Sequence, residues 1–344
     1  MLGLDITATS VKLLELKSTK KGYKVVSYTV EPLPANAVNE KNLQDVEAVG
    51  DAIARAVKRS GTRTRACAVA VPSAMVITKV IQMPEGLKDH ELDAQIQLEA
   101  DQYIPYSLEE VNLDFFVKGP SEHAADMIDV LLAASRSENV EDRTAAAEIG
   151  GLDVKIVDVE PYTMENAFQL IEHQIPDGGA GQTVAILDIG ASMTSLCVLR
   201  DRELIYTREQ PFGGKQLTEE IMRRYGLSFE DAGRVKRTGG LPDTYEEDVL
   251  NPFRDLLVQQ ANRFLQFFFS ADKNDYVDHI VMAGGCTGIP DIRELIEQRI
   301  GTPTVIAEPF AHMPIGSDIP AQRLHDDGPA MMIACGLALR GVQK

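Results

Sequence analysis

Cysteine is scarce and scattered in this chain. Cys67, Cys197, Cys286 and Cys335 are the only four in 344 residues, and none stands in a C-x-x-C spacing. Each lies among apolar or small residues, which fits a reduced core thiol rather than a disulfide frame or a zinc site. The six histidines form no metal-ligand pattern either. No charged leader followed by an apolar signal region opens the chain. No run reaches the ~18 apolar residues of a membrane-spanning helix. Basic residues are outnumbered, 34 Lys plus Arg against 52 Asp plus Glu, for a net charge of −18. That balance excludes a general nucleic-acid-binding surface and disfavours direct docking on anionic lipid; its plain role is solubility. What remains is a globular composition, 44% hydrophobic and 25% charged, over a length that suggests about two domains.

The stretch that organises the chain is Val184-Ala-Ile-Leu-Asp-Ile-Gly-Ala-Ser-Met-Thr-Ser-Leu-Cys-Val-Leu199, because the chain opens with a second copy of it. Placing Asp188 on Asp5 pairs Leu4 with Leu187, Ile6 with Ile189, Ala8 with Ala191, Thr9 with Ser192 and Leu13 with Leu196. Each copy predicts strand, small-residue turn, strand. Small side chains leave successive N–H groups open to an anion, polyphosphate above all. Asp5 and Asp188, one at the lip of each turn, are suited to hold a hydrated Mg²⁺, which keeps several waters and takes one or two carboxylates. Two ordinary hairpins are the plain alternative, and the repetition argues against it.

Around the first copy the pattern predicts a meander of strands Leu2–Ile6, Ser10–Leu16 and Tyr23–Tyr28, a helix over Leu43–Ser60 and a strand Ala66–Val71. A strand, helix, strand, strand, helix unit follows as an insert over 74–154: Val76–Met83, Leu87–Tyr103, Val111–Val117, Met127–Ala134 and Val140–Ile149. Strand Lys155–Val159 then leads into a helix opened by Glu160-Pro161 and running to about Gln174. Pro176–Gly181 marks a break, after which the plan restarts with the second hairpin, strand Glu203–Glu209 and helix Gln216–Tyr225. Residues 228–271 read as helical with a loop at Gly239–Asp243, and Phe264, Phe267, Phe268 and Phe269 as core packing. Strand His279–Ala283 feeds Gly284-Gly285-Cys286-Thr287-Gly288 and a helix Pro290–Ile300, the shape of a nucleotide-contacting loop. A small-residue helix, Pro329–Leu339, closes the chain, with Ala334, Gly336 and Ala338 suited to close packing.

Two Asp-led hairpins, a Glu-Pro helix, a Gly-Gly-x-x-Gly loop and a small-residue closing helix, in that order, resemble the actin, Hsp70 and sugar-kinase superfamily. The insert before Glu160 is similar to the extra subdomain of its FtsA-like branch. Three stretches resemble the PilM family of type IV pilus assembly proteins: Asp5-Ile-Thr-Ala-Thr-Ser-Val-Lys-Leu-Leu-Glu15, Glu99-Ala-Asp-Gln-Tyr-Ile-Pro-Tyr-Ser-Leu-Glu-Glu-Val111 and Phe212-Gly-Gly-Lys-Gln-Leu-Thr-Glu-Glu-Ile221. The resemblance implies an actin-like α/β fold, two related domains around a nucleotide cleft. Subdomain 1A would be 1–73 plus 155–176 with the closing helix 329–344 packed back on it, 1C the insert 74–154, and 182–344 the second domain, with 2B at about 215–275.

By position, the resemblance implies ATP lined by Ala8, Thr9, Ser10 and Lys12 in the first turn and Gly190, Ala191 and Ser192 in the second. Asp5 and Asp188 would stand near Mg²⁺, through water. Gly214, Lys215, Glu219, Lys236, Gly284, Gly285, Cys286 and Gly288 would surround ribose and adenine, and Glu160 would orient an attacking water. Thr7 and Ala8 depart from the superfamily's usual Gly and Ser, and the Asp-Ile-Gly-Ala-Ser turn lacks a second acid, so binding with at most slow hydrolysis is expected. The implied partner is the N-terminal cytoplasmic segment of PilN, in a groove between 1A and 1C, with other alignment-complex proteins and self-association in addition. FtsA relatives continue past the closing helix into a membrane anchor, whereas this sequence stops at Lys344. The expected location is therefore the cytoplasmic face of the inner membrane, reached through partners. A small-molecule kinase and a filament-forming ATPase are alternatives on the same fold.

Overall fold

The computed structural model describes residues 1–121, 124–271 and 276–342. Strands β1 (Leu2–Ile6), β2 (Ser10–Thr19) and β3 (Gly22–Pro32) form the meander. A minimal hairpin, β4 (Val38–Asn39) and β5 (Asn42–Leu43), precedes α1 (Val46–Ser60) and β6 (Ala66–Val71). Helix α1 starts where the Asp45 carboxylate accepts the Ala48 N–H, a cap worth about 1 kcal/mol, and stops at Gly61 in the left-handed region. The insert holds β7 (Val76–Pro84), α2 (Asp89–Ala100), β8 (Val111–Pro120) and β9 (Met127–Arg136). Then come α3 (Ser137–Ile149), β10 (Asp153–Val159) and α4 (Glu160–Phe168). The helix expected to reach Gln174 ends at Phe168; the chain bends so that Leu170 and Ile171 enter the core, and a 3₁₀ turn covers Glu172–Gln174.

The second half repeats the first with β11 (Thr183–Ile189), β12 (Thr194–Arg200) and β13 (Glu203–Gln210), then α5 (Gly214–Tyr225), α6 (Phe229–Thr238) and α7 (Asn251–Ala271). Strand β14 (His279–Ala283), α8 (Ile292–Ile300), β15 (Thr304–Ile306), α9 (Ala321–Asp327) and α10 (Met332–Leu339) follow. The closing helix was expected over 329–344; a 3₁₀ turn at Gly328–Met331 precedes α10, and residues 343–344 lie outside those described.

The internal repeat extends to topology. One sheet runs β3-β2-β1-β6-β10 and the other β13-β12-β11-β14-β15, each an antiparallel meander joined to two parallel strands. Because successive side chains leave a strand on opposite faces, each sheet feeds two cores. Leu13 and Val69 pack with α1, while Leu14, Leu16 and Ala68 join α4, α10 and Val184, Ile186 and Cys197 of the other sheet in a layer between the halves. Ala185, Leu187 and Ile189 face α5, α7 and α8, where Phe264 and Phe268 are buried.

The insert's three strands, in order β7-β9-β8, cover one face with α2 through Ile81, Met83, Val130, Leu92 and Ile96. Helix α3, expected as the second helix of that unit, packs on the first domain. Ala146 and Ala147 share the core of Val49 and Ile53, and Gly50 and Gly150 let α1 and the end of α3 close together.

Candidate functional site

Strand alternation aims the two aspartates at each other's half. Asp5 leaves β1 on the face of Gly3, whose Cα meets Ala334 of α10, and Asp188 leaves β11 on the face of Val184 and Ile186. Both stand at the ends of their strands, in the gap between the halves. Asp5 is 5% exposed. It pairs across the meander with Lys12, whose ammonium donates to the Asp5 carboxylate at 3.0 Å and to the Ala330 carbonyl at 2.6 Å. Burial alone would lower the Lys12 pKa, but Asp5, Asp188 and Glu160 outweigh it and hold the ammonium above its usual range. Burial pushes the Asp188 and Glu160 carboxyls up, against the pull of Lys12 and Lys41 on the first and of Lys41 on the second.

The turns that follow the aspartates are built differently. In the first, Thr7 Oγ1 donates to the Ser10 carbonyl at 2.9 Å and accepts the Ser10 N–H at 3.2 Å, fixing Ala8, Thr9 and Ser10. In the second, Gly190, Ala191 and Ser192 are pressed by the start of α5: the Gly214 N–H donates to the Gly190 carbonyl at 3.0 Å and the Lys215 N–H to that of Ala191 at 2.7 Å. A Cβ on Gly213 would lie 2.5 Å from the Gly190 oxygen, so only glycine permits this approach. The N–H groups of Ala8, Ala191 and Ser192 meet no acceptor among the described residues.

The glycine loop adjoins the second turn. Cys286 Sγ donates to the Gly190 carbonyl at 3.3 Å, and the Gly284 N–H donates to the Pro329 carbonyl at 2.8 Å. Gly284, at φ 86°, has no room for a Cβ, which would stand 2.5 Å from the Asp188 carboxylate. Gly285 and Gly288 border open space. Lys236 reaches back from α6 to donate to the Gly214 carbonyl at 3.0 Å and Thr218 Oγ1 at 2.7 Å, and burial lowers its pKa. Lys215 and Glu219, both half exposed, lie 3.9 Å apart on one face of α5. The predicted residues therefore fall around one cleft, floored by consecutive carbonyls of the closing segment, Pro329 and Ala330.

Four further groups belong to that cleft. Lys41, at the tip of the β4–β5 hairpin, donates to Glu160, to Glu209 at 2.6 Å and to Ser195 Oγ at 3.2 Å. Burial alone would lower its pKa, yet Glu160 and Glu209 raise it. Ser195 and Glu209 face one another across β12 and β13. The remaining group is the Ala330 carbonyl. The only sequence signal for Lys41 is its turn, between Asn39 and Asn42; its acceptors lie 119 to 168 residues away. Asp188 pairs with Ser195 as Asp5 pairs with Lys12. The cation that β2 supplies within the first half thus comes to the second half from Lys41.

The fold agrees with comparisons to known proteins. The model of a family described as type IV pilus assembly protein PilM matches residues 3–342. The structure is similar to that of a PilM-PilN type IV pilus biogenesis complex, with a TM-score of 0.82 and 28% identity over 100% of this chain and 98% of that one. It shares its fold with the ethanolamine utilization protein EutJ of Carboxydothermus hydrogenoformans, at a TM-score of 0.57 and 14% identity, over 98% and 88% of the two chains. The sequence is 22% identical to the cell division protein FtsA of Enterococcus hirae across 346 aligned positions, covering 87% of this chain and 76% of that protein. The fold is the expected actin-like one, with two related α/β halves.

Proposed function

Because the chain belongs to the PilM family of type IV pilus assembly proteins, we propose that it is an ATP-binding scaffold that holds the N-terminal cytoplasmic segment of PilN and adjusts that grip with bound Mg-ATP. The observation that carries the nucleotide is the pair of duplicated hairpins, which bring Asp5, Asp188 and the open N–H groups of Ala8, Ala191 and Ser192 to one cleft. These groups suit a polyphosphate and its metal. Asp5 and Asp188 would hold Mg²⁺ through its waters. The two turns, with Thr9, Ser10 and Lys12, would take phosphate oxygens. Gly214, Lys215, Glu219 and Lys236 would border ribose and base with Gly284, Gly285, Cys286 and Gly288. The metal would neutralise phosphate charge. Glu160, whose carboxylate is bound by Lys41, is poorly placed to activate water, which supports binding with slow hydrolysis.

The insert supplies the partner surface. Its sheet leaves uncovered the face opposite α2, where Val80, Leu131 and Phe116 form one cross-strand row; Val80 and Phe116 are 47% and 67% exposed. A groove of about 340 Å³ lies beside α4, lined by Asp158, Tyr162 and Glu165, and the Tyr162 hydroxyl is near enough to Thr78, on that same sheet face, to interact with it. Among the described residues strand β10 is the last of its sheet, with no strand on its outer edge. An apolar row and an edge strand each suit an extended peptide, the strand by addition with pockets for alternate side chains. Among the described residues no helix is long and apolar enough to cross a membrane, so a peptide from a membrane-bound partner would bring the scaffold to the inner membrane.

Calorimetric titration of a synthetic PilN N-terminal peptide into the protein, with and without Mg-ATP, tests the reading. Binding is expected in both conditions, with a Kd that changes on adding nucleotide. Asp188→Asn should abolish that change by weakening Mg-ATP. Peptide affinity indifferent to bound Mg-ATP would overturn the switch, and no peptide binding at all would overturn the scaffold.

A further inference from the structure

Lys41 sits where the cleft, the second half and both ends of the insert meet. Its ammonium has three protons, and all are committed: one to Glu160 of the first half, two to Ser195 and Glu209 of the second. Glu209 extends the contact, because its other oxygen accepts the N–H of Ala74 at 3.2 Å, in the turn that leads into β7. The Lys41 carbonyl accepts from Arg143 of α3 at 2.7 Å, and Arg143 also donates to the Asn139 carbonyl at 3.1 Å. Asn139 donates to Ser135 Oγ at 3.3 Å, which donates to the Met75 carbonyl at 2.9 Å. A continuous set of hydrogen bonds therefore joins Glu160 in the cleft to the residues through which the insert leaves and rejoins the first domain.

The turn that carries Lys41 is held rather than relaxed. Glu40 and Lys41 have φ of 47° and 71°, values that side chains disfavour. Such a turn persists where its surroundings over-determine it, and the bonds to Arg143, Glu160, Ser195 and Glu209 do so here.

We propose that Lys41 is the positioning residue that couples occupancy of the cleft to the orientation of the insert. The proposal rests on the nucleotide reading above. A triphosphate and its metal entering beside Asp5, Asp188 and Glu160 bring new charge to a lysine with no proton to spare, so any new partner displaces an old one. Release of Glu209 from Lys41 lets its carboxylate move, and with it the Ala74 N–H held by its other oxygen at one hinge of the insert, while movement of the Lys41 backbone shifts Arg143 at the other. The device is discrete, since each hydrogen bond is either made or broken, as a two-state coupling element requires.

The test repeats the PilN-peptide titration, with and without Mg-ATP, on wild type, Lys41→Met, Lys41→Arg and Glu209→Gln in the full chain. Wild type is expected to change its peptide Kd at least about fivefold with Mg-ATP, within the usual span of coupled sites. With Mg-ATP raised until the variant is saturated, Lys41→Met is expected to bring the ratio within about twofold of one, with Lys41→Arg restoring part of it. A Lys41→Met ratio equal to that of wild type overturns the proposal and leaves the switch standing. A wild-type ratio of one overturns the switch and the proposal together. Should Lys41→Met fail to fold, Glu209→Gln, which keeps the shape and loses the charge, decides the same question: a reduced ratio supports the relay and an unchanged one overturns it.

Discussion

Gly336 of α10 lies so close to Thr163 of α4 that a methyl group on its Cα would stand 1.8 Å from the Thr163 carbonyl oxygen. The two helices fill the layer between the sheets, so neither can retreat. Gly336→Ala should destabilise the protein by about 3 kcal/mol, the upper end of overpacking costs. Gly233→Ala on α6, where the nearest atom to a new Cβ is the tip of Arg237 at 4.0 Å, should instead stabilise by up to about 1 kcal/mol through helix propensity. Denaturant midpoints of the two variants check the contrast.

Lys12 neutralises Asp5 in a setting where the two side chains are only 14% and 5% exposed. Lys12→Met leaves a buried carboxylate unpaired and should cost about 3–5 kcal/mol. Adding Asp5→Asn should recover most of the loss, because the charge left stranded is then gone. Thermal unfolding of the single and double variants measures this, and an additive double variant would refute the pairing.

Asp188 and Glu160 set a pH dependence. Both carboxyls titrate above the ordinary range because they are buried, so between that range and their raised values the folded state holds more protons than the unfolded one. Stability then falls as pH rises through the window. The ligand-free protein should lose melting temperature as pH rises above the ordinary carboxylate range, relative to the Asp188→Asn, Glu160→Gln double variant. Melting curves of both proteins across that window give the difference, and parallel curves would remove these two groups as the cause.

Phe116 offers a test of the partner surface that stability does not confound. At 67% exposure it contributes little to the fold, so Phe116→Ser should leave unfolding within about 0.5 kcal/mol of wild type. If the apolar row seats the PilN segment, the same change should weaken peptide binding tenfold or more, the loss of an aromatic anchor. Peptide affinity equal to wild type would move the binding surface elsewhere.

Several elements were legible from local chemistry alone. Leu2–Ile6, Ala66–Val71 and His279–Ala283 have the ends that the sequence pattern predicts, because an apolar, β-branched run bounded by turn residues has few other choices. Strand β15 went unread: its three residues are too few to show a period, and its place in the sheet comes from β14 beside it. Helix α3 was legible as a helix, but not the surface it packs on, since that depends on Gly50 of α1 nearly a hundred residues earlier.

By itself the sequence determined the duplicated hairpins, the acids at their ends and the glycine loop, because turn geometry and strand alternation act over a few residues. The tertiary structure decided which charges meet. Lys41, Glu160, Ser195 and Glu209 lie on four separate segments, and no local rule selects a lysine in one hairpin as the counter-ion for carboxylates on a distant helix and strand. Only the packing of the two halves across α4 and α10 brings them within a hydrogen bond, where the low dielectric of the buried cleft makes the pairing strong.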